Sequence, residues 1–153
     1  MPPTGFKAIT NEKSRFYIFV PTEWIKKGYG LKNVIEAAMP NEKGEAYYPN
    51  IIASVNIDHF GISLEEMVNG FIELDKKFSQ NFRLLNKETY TIKGEPAKTI
   101  NYLIDENGET IRNSVTVYRK NRNIVVFSYS VLDRQHKKYG EIYKISKNSI
   151  NFN

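Results

Sequence analysis

Cysteine is absent from this chain of 153 residues, and its absence excludes disulfide bonds, thiol nucleophiles and cysteine-ligated metal sites. The sequence also lacks any run of about 18 apolar residues, so it predicts no membrane-spanning helix. The first ten residues, MPPTGFKAIT, are polar and proline-rich, which does not fit a basic and then apolar export signal. We therefore expect either a cytosolic protein or the mature part of an exported one, and the missing cysteine leans slightly towards export.

Histidine is scarce as well, and this limits the chemistry that the chain can perform. Only His59 and His136 are present as histidine bases, and no Gly-x-Ser-x-Gly elbow presents a serine to them. We interpret both as surface or capping residues. Asp58 and His59 offer two metal-ligand types, but adjacent side chains on an extended chain point apart, and zinc would need further ligands. The sequence predicts no catalytic residue, no metal site and no cofactor.

The charge of the chain is positive but scattered. There are 22 Lys and Arg residues against 17 Asp and Glu, a net charge of +5. The densest basic motifs are RKNR (119–122) and RQHKK (134–138). Because acidic residues are interspersed elsewhere, we favour a solvated surface over a nucleic-acid interface.

Two segments follow the helical period of 3.6 residues. The first, SLEEMVNGFIELDKKF, begins with Ser63 and Glu66 at capping-box spacing. Its predicted core stripe is Leu64, Met67, Val68, Phe71, Leu74 and Phe78. The second, KKYGEIYKISKNSI, has a stripe that Gly140 and Ser146 interrupt. Its core candidates are Tyr139, Ile142, Tyr143, Ile145 and Ile150.

The rest of the chain reads as strands and turns. RFYIFV (15–20) has apolar residues at both its odd and its even positions, which predicts a central strand covered on both faces. Asn107-Gly108 is a strong hairpin signal, and KNRN (120–123) is a second tight reversal. Hairpins give an antiparallel sheet, so we predict an α+β fold with this sheet flanked by two helices. We expect one domain over residues 5–152, preceded by a flexible segment, 1–4.

Aromatic residues are the remaining candidates for function. Pro21 ends the strand RFYIFV because it lacks an amide hydrogen, and Trp24, the only tryptophan, follows it. We favour Trp24 as a plug of the core over a role as a contact residue. If the chain has a contact surface, we assign it to Trp24, Tyr29, Tyr47 and Tyr48, since tyrosine is enriched at interfaces. The alternative is that these rings form a lid over the end of the sheet.

The order of these signals carries a resemblance to a known family. GFKAITNEKSRFYIFVPTEW is followed by NIIASVNIDHFGISLEEM, IKGEPAKTINYLI and finally SKNSINF. From about Gly5 to Phe152 this succession resembles the PsbP-like family, which includes the extrinsic photosystem II subunit, its bacterial relatives and DcrB-type lipoproteins. The resemblance implies an α-β-α sandwich and a non-enzymatic accessory role.

The same resemblance sets our expectations for partner and location. It implies a protein partner of unknown identity and, in many members, attachment to a membrane surface through an N-terminal lipid. The chain shows no lipidation cysteine or signal peptide, which departs from that pattern. We expect an exported, membrane-associated protein that binds no nucleic acid, with a cytoplasmic location as the alternative.

Two other functions stay open at this point. One is a small-molecule or lipid-binding module with a pocket between the first helix and the sheet, lined by Phe71, Phe78 and Phe127. The other is a cytosolic anion-binding domain that uses the two basic motifs.

Overall fold

The computed structural model describes residues 1–27, 32–40, 47, 49–58 and 61–152. These residues form ten strands and two α-helices, with a single 3-10 turn at Asp133–Gln135. The helices are α1 (Leu64–Phe78) and α2 (His136–Ser149). The strands are β1 (Phe6–Asn11), β2 (Phe16–Pro21), β3 (Ile25–Lys27), β4 (Val34–Ala38), β5 (Asn50–Ile57), β6 (Gln80–Ile92), β7 (Glu95–Glu106), β8 (Glu109–Lys120), β9 (Asn123–Leu132) and β10 (Asn151–Phe152).

Seven strands form one antiparallel sheet in the order β3-β4-β5-β9-β8-β7-β6. Its second half is a meander joined by three two-residue turns, Lys93–Gly94, Asn107–Gly108 and Asn121–Arg122. Both residues of every one of these turns have positive φ, the type I′ geometry that matches the twist of paired strands. The hairpin predicted at Asn107-Gly108 is therefore confirmed.

The other three strands form a small antiparallel sheet in the order β1-β2-β10. β2 contains the motif RFYIFV except its first residue, and it lies in the middle of this sheet, as predicted. Phe16, Ile18 and Val20 are fully buried, whereas Tyr17 and Phe19 are half-buried. The expectation of two covered faces is thus wrong for the second face, because the pleat turns only alternate side chains towards the shared core.

The large sheet separates two hydrophobic cores. On one face it packs with α2 and the small sheet, and on the other face it packs with α1. Neighbouring residues of β8 show the division, since Tyr118 belongs to the first core and Val117 to the second. The chain is an α+β fold in which helices flank an antiparallel sheet.

Helix α1 begins where the capping signal predicts. The Ser63 hydroxyl accepts a hydrogen bond from the Glu66 amide at 3.0 Å. The predicted core stripe is only partly correct, because Val68 and Ile72 are buried while Leu74 and Phe78 are exposed. The face of α1 that packs against the sheet carries Val68, Ile72 and the half-buried Asp75. The carboxylate of Asp75 accepts a hydrogen bond from the Tyr102 hydroxyl.

Helix α2 buries Tyr139 and Tyr143, as its stripe predicts. Its third buried residue is Ser146, which the sequence pattern treats as an interruption of the stripe. The hydroxyl of Ser146 donates to the backbone carbonyl of Phe19 in β2 at 2.7 Å. A polar residue is tolerated at this core position because its hydrogen bond is made.

Candidate interaction surface

The outcome of the prediction differs among the four aromatic residues assigned to a contact surface. Trp24 is 1% exposed and lies in the core shared by α2 and the two sheets. This corrects its assignment as a contact residue, because a buried indole offers no surface to a partner in this conformation. Tyr29 and Tyr48 lie outside the described residues. Only Tyr47 is both described and partly accessible.

Tyr47 lies on the α1 side of the large sheet. Its hydroxyl accepts a hydrogen bond from the Asn50 side chain at 3.3 Å. The pKa of Tyr102 is raised mainly by burial and then by its hydrogen bond to Asp75. The nearby Tyr47 contributes to the same shift. Tyr47 therefore lies on the same face as Tyr102, whose hydroxyl donates to Asp75 of α1.

Helix α1 covers only part of its face of the sheet. It packs against β6, β7 and β8. Strand register gives one row of side chains across this face, Glu36–Ile52–Ser128–Val115–Ile100. Val115 and Ile100 belong to the core under α1, whereas Ile52 is 36% exposed and Ser128 is half-buried. We call the side chains of Ile52, Ser54, Ser128 and Ser130 on this face the open half-face.

The helix presents an apolar flank beside its buried face. Met67, Phe71, Leu74 and Phe78 follow one another at four- and three-residue spacing, which places them along one side of α1. Leu74 is 55% exposed and Phe78 is 73% exposed. We call these four residues the helix flank.

The pocket predicted between α1 and the sheet is not formed by its three proposed rings. Phe127 is fully buried in the core on the α2 side of the sheet. Phe71 packs in the α1 core, and Phe78 is exposed at the end of the helix. The sheet separates Phe127 from the other two, so these rings cannot line one cavity.

The two basic motifs are interleaved with acidic partners. In the first, Arg119 Nε contacts Asp58 Oδ2 at 2.6 Å, and Lys120 lies 3.9 Å from Glu95. In the second, Arg134 lies 3.8 Å from Glu109. Much of their charge is thus compensated locally, which is typical of a solvated surface.

Candidate metal and membrane features can be placed only in part. His59 lies outside the described residues, and the carboxylate of Asp58 accepts from the Gly61 amide at 3.0 Å besides its contact with Arg119. Over the described ranges, no three His, Asp or Glu side chains come together as metal ligands. In that same part of the chain, no helix has the length and apolar character needed to cross a bilayer.

No protein-family model and no curated protein matches this sequence. Solved structures do match its fold. The cyanobacterial PsbP protein CyanoP of Synechocystis sp. PCC 6803 superposes with a TM-score of 0.71 at 12% identity, over 100% of this chain and 95% of that one. The chain has a PsbP-like fold.

The same PsbP-like fold occurs in proteins of other organisms. The Ran-binding protein Mog1p of Saccharomyces cerevisiae matches with a TM-score of 0.68 at 12% identity, over 96% of this chain and 95% of that one. LpqN, involved in cell envelope biogenesis of Mycobacterium tuberculosis, matches at 0.60 and 13% identity, over 95% and 89% of the two chains. These likenesses establish the fold.

The sequence did not identify the exposed part of this PsbP-like domain. Leu74 and Phe78 fit the helical period, so the sequence predicts both as core residues. The signal that separates them from the core is Ile72 together with Val68, a second set at helical spacing that lies closer to the centre of the buried face.

Proposed function

We propose that this chain is a non-enzymatic accessory domain that binds a protein partner through the helix flank and the open half-face. The observation that supports this most is the exposure of Leu74 and Phe78, two large apolar side chains, beside a sheet face that α1 leaves half covered. Adjoining apolar exposures of this kind mark interaction sites in soluble proteins. Tyr47 stands at the same surface and is the part of the predicted aromatic contact set that this proposal keeps.

The charges around the helix flank suggest the chemistry of the partner. Lys76 and Lys77 lie in the last turn of α1, and the Lys77 ammonium group lies 5.4 Å from the centre of the Phe78 ring. Lys76 is paired with Glu73 at 3.6 Å, so Lys77 is the cation beside the exposed ring. An apolar surface with this cation at its end fits a partner that offers apolar side chains beside an acidic one. Mog1p, which has the same fold, is a Ran-binding protein, and this supports a protein as the partner.

The setting that we propose is the outer side of a membrane, with the domain held near its surface. Support comes from the likeness to CyanoP and to LpqN, which is involved in cell envelope biogenesis. Fractionation of cells from the source organism tests it: we expect the protein in the envelope fraction. Recovery in the cytosol would contradict the setting and leave the partner surface untouched.

The partner surface is tested by affinity capture from source extract with chemical crosslinking. The baits are the wild-type chain, the double variant Leu74→Ser/Phe78→Ser, and Ile57→Ser as matched control. Ile57 is 64% exposed in β5 and lies outside the proposed surface. We expect one partner to be captured by the wild type and the control and lost from the double variant.

All three baits should have the same unfolding temperature, because the substituted side chains are exposed. Equal capture by the double variant would contradict the proposed surface. Failure of the wild type to enrich any protein over a mock bait would contradict the proposed function itself.

A further inference from the structure

A second surface feature lies on the opposite side of the large sheet from the helix flank. Between α2 and strands β6, β7 and β8 there is a cleft of about 490 Å³. Its floor consists of sheet side chains such as Thr99 and Ser114, and its wall includes His136, Gly140 and Lys144 of α2. The neighbouring part of this same face, under the middle of α2, is apolar. The change from apolar to polar lining marks the cleft as a distinct site.

The floor of the cleft is a fixed network of hydroxyl groups. Thr99 and Thr116 are 2.6 Å apart at their hydroxyl oxygens, and Thr116 lies 3.1 Å from the Tyr143 hydroxyl. The Tyr90 hydroxyl contacts Thr99 at 2.7 Å and accepts from the Lys147 ammonium at 3.0 Å. Buried hydroxyls in such a network hold their geometry, because each is fixed by its neighbours.

Positive charge exceeds negative charge around the cleft. Its described lining carries four cationic side chains, Arg112, Lys137, Lys144 and Lys147, and two carboxylates, Glu88 and Glu141, of which Glu141 lies 3.5 Å from Lys144 at the exposed surface. The guanidinium of Arg112 is fixed at its Nε edge, which donates to the Asp133 carboxylate at 2.8 Å. The terminal amino groups of this guanidinium make no hydrogen bond to another described residue. A guanidinium fixed in this way can present two donors to an anionic oxygen pair.

Two buried polar atoms beside Arg112 have no protein hydrogen-bond partner among the described residues. They are Nδ1 of His136 and the hydroxyl of Tyr129, a side chain that is 1% exposed. Burial and the nearby Arg112 lower the pKa of His136, with a small opposing effect of Asp133. In a neutral imidazole one ring nitrogen donates and the other accepts, so His136 adds to the end of the cleft near Arg112 a hydrogen-bonding atom that the described residues do not use.

Helix α2 contributes a glycine, Gly140, to the wall of the cleft. A Cβ atom placed on Gly140 would meet nothing within 4 Å, so no packing contact requires glycine there. Glycine is the poorest helix former after proline, yet at this position it keeps the wall of the cleft free of a side chain. Filling this position closes the space without disturbing the core.

We propose that this cleft binds a small anion, whose phosphate or carboxylate oxygens are held by Arg112 and by the ammonium groups of Lys144 and Lys147. Asn86, Asn101 and Ser114, which also line the cleft, supply polar groups for the rest of such a ligand, and the volume suits a molecule of metabolite size. This site goes beyond the proposed partner surface and does not depend on it, because the two lie on opposite faces of the sheet.

The test is a titration of the isotope-labelled chain, followed by NMR, with inorganic phosphate and separately with citrate, at pH 7 and low salt. We expect saturable shifts of the amides of Ser114, Gly140 and Lys144. Saturation by phosphate alone identifies a phosphate-bearing ligand, by citrate alone a carboxylate-bearing one, and by both a general oxyanion site. Absence of saturable shifts with either anion would overturn the proposal.

Matched variants locate the binding. Gly140→Leu fills the cleft, and Gly70→Leu places the same side chain on an exposed position of α1, where a Cβ also meets nothing within 4 Å. We expect Gly140→Leu to weaken anion binding by about tenfold or more and Gly70→Leu to leave it unchanged. Equal affinities for both variants, or shifts spread over lysines on all faces, would indicate non-specific attraction and overturn the site.

Discussion

Ser146 in α2 donates its hydroxyl hydrogen to the backbone carbonyl of Phe19 in β2, at 2.7 Å. The backbone N–H of Phe19 donates in turn to the hydroxyl of Ser149, also at 2.7 Å. Strand β10 pairs with β2 only at Phe16 and Tyr17, so at Phe19 the helix supplies the hydrogen bonds that a neighbouring strand would make. Two serines of α2 thus protect an edge of the small sheet and fix the position of the helix.

Ser146→Ala removes the donor and leaves the carbonyl of the half-buried Phe19 without this partner. We expect the free energy of unfolding to fall by roughly 1–3 kcal/mol, with part of this loss offset by the better helix propensity of alanine. Urea denaturation followed by circular dichroism measures it. Asn148→Ala, at an exposed position of the same helix, serves as control and should change little. A Ser146→Ala variant as stable as the control would show that this bond does not contribute to the docking of α2.

How far the sequence predicts the structure depends on how local the cause is. The turn at Asn107–Gly108 follows from two adjacent residues that tolerate positive φ, and the start of α1 follows from Ser63 and Glu66. Which residues of α1 are buried does not follow from a local cause. The helix flank and the buried face of α1 both have helical spacing, and the packing of Val68, Ile72 and Asp75 against the sheet determines which of the two is buried.

The candidate sites were beyond sequence reasoning for the same reason. The sequence predicts Tyr47 as a contact residue because it is a tyrosine in a polar stretch. It does not predict the cleft, since the cleft joins Arg112 of β8 to His136 and Lys147 of α2, and only the packing of helix on sheet brings them together. A usable signal existed in β7 and β8, where Thr99 and Asn101, and Arg112 and Ser114, put polar side chains on one face of a predicted sheet.

The burial of Trp24 predicts the fluorescence of the chain. As the only tryptophan, 1% exposed in the core, it should emit at short wavelength in the native state and resist quenching by acrylamide. Unfolding in urea should shift the emission to long wavelength together with the loss of circular dichroism. Native emission typical of a water-exposed indole would place Trp24 at the surface and return it to the candidate contact residues.

Gly70 lies in the interior of α1, where a Cβ would meet nothing within 4 Å. Gly70→Ala should therefore raise the free energy of unfolding by about 1 kcal/mol, because alanine loses less backbone entropy in a helix. The comparison is Gly108→Ala, at φ +79° in a turn, which should lower stability. Thermal unfolding of the two variants measures both effects, and a destabilised Gly70→Ala chain would mean that this position serves a contact that the structure does not contain.

The Asp105 carboxylate makes the free energy of unfolding depend on pH in the acidic range. Hydrogen bonds from Arg83 and then Asn81 hold the pKa of Asp105 below its ordinary value of 3.8. The folded chain therefore binds this proton more weakly than the unfolded chain does. The resulting stabilisation is present above the ordinary value and is lost as pH falls through the lowered pKa of the folded state.

Asp105→Asn should accordingly flatten the fall of the urea midpoint between neutral pH and acid, relative to the wild type. Glu106→Gln, a substitution of the exposed neighbouring carboxylate, should keep the wild-type slope. The pH dependence of the denaturation midpoint measures both. If the two variants have the same slope, the acid sensitivity arises from other carboxylates.

Thr116 lies at the centre of the hydroxyl network under the cleft. It is fully buried, and its hydroxyl oxygen lies 2.6 Å from that of Thr99 and 3.1 Å from that of Tyr143. Thr116→Val keeps the shape of the side chain and its suitability for a strand, but it removes the shared hydroxyl. We expect the free energy of unfolding to fall by roughly 1–3 kcal/mol, because buried groups lose a partner.

Two further variants separate the loss of this hydrogen bond from other effects of the substitution. Thr116→Ser retains the hydroxyl and should recover much of the stability, although it leaves a space where the methyl group was. Thr91→Val, at an exposed position of β6, makes the same chemical change without removing a buried hydroxyl and should be nearly neutral. Urea denaturation of all three variants compares their free energies of unfolding. A Thr116→Val chain as stable as Thr91→Val would mean that the buried hydroxyls under the cleft rearrange at no cost, and the floor would then not be the fixed framework that we infer.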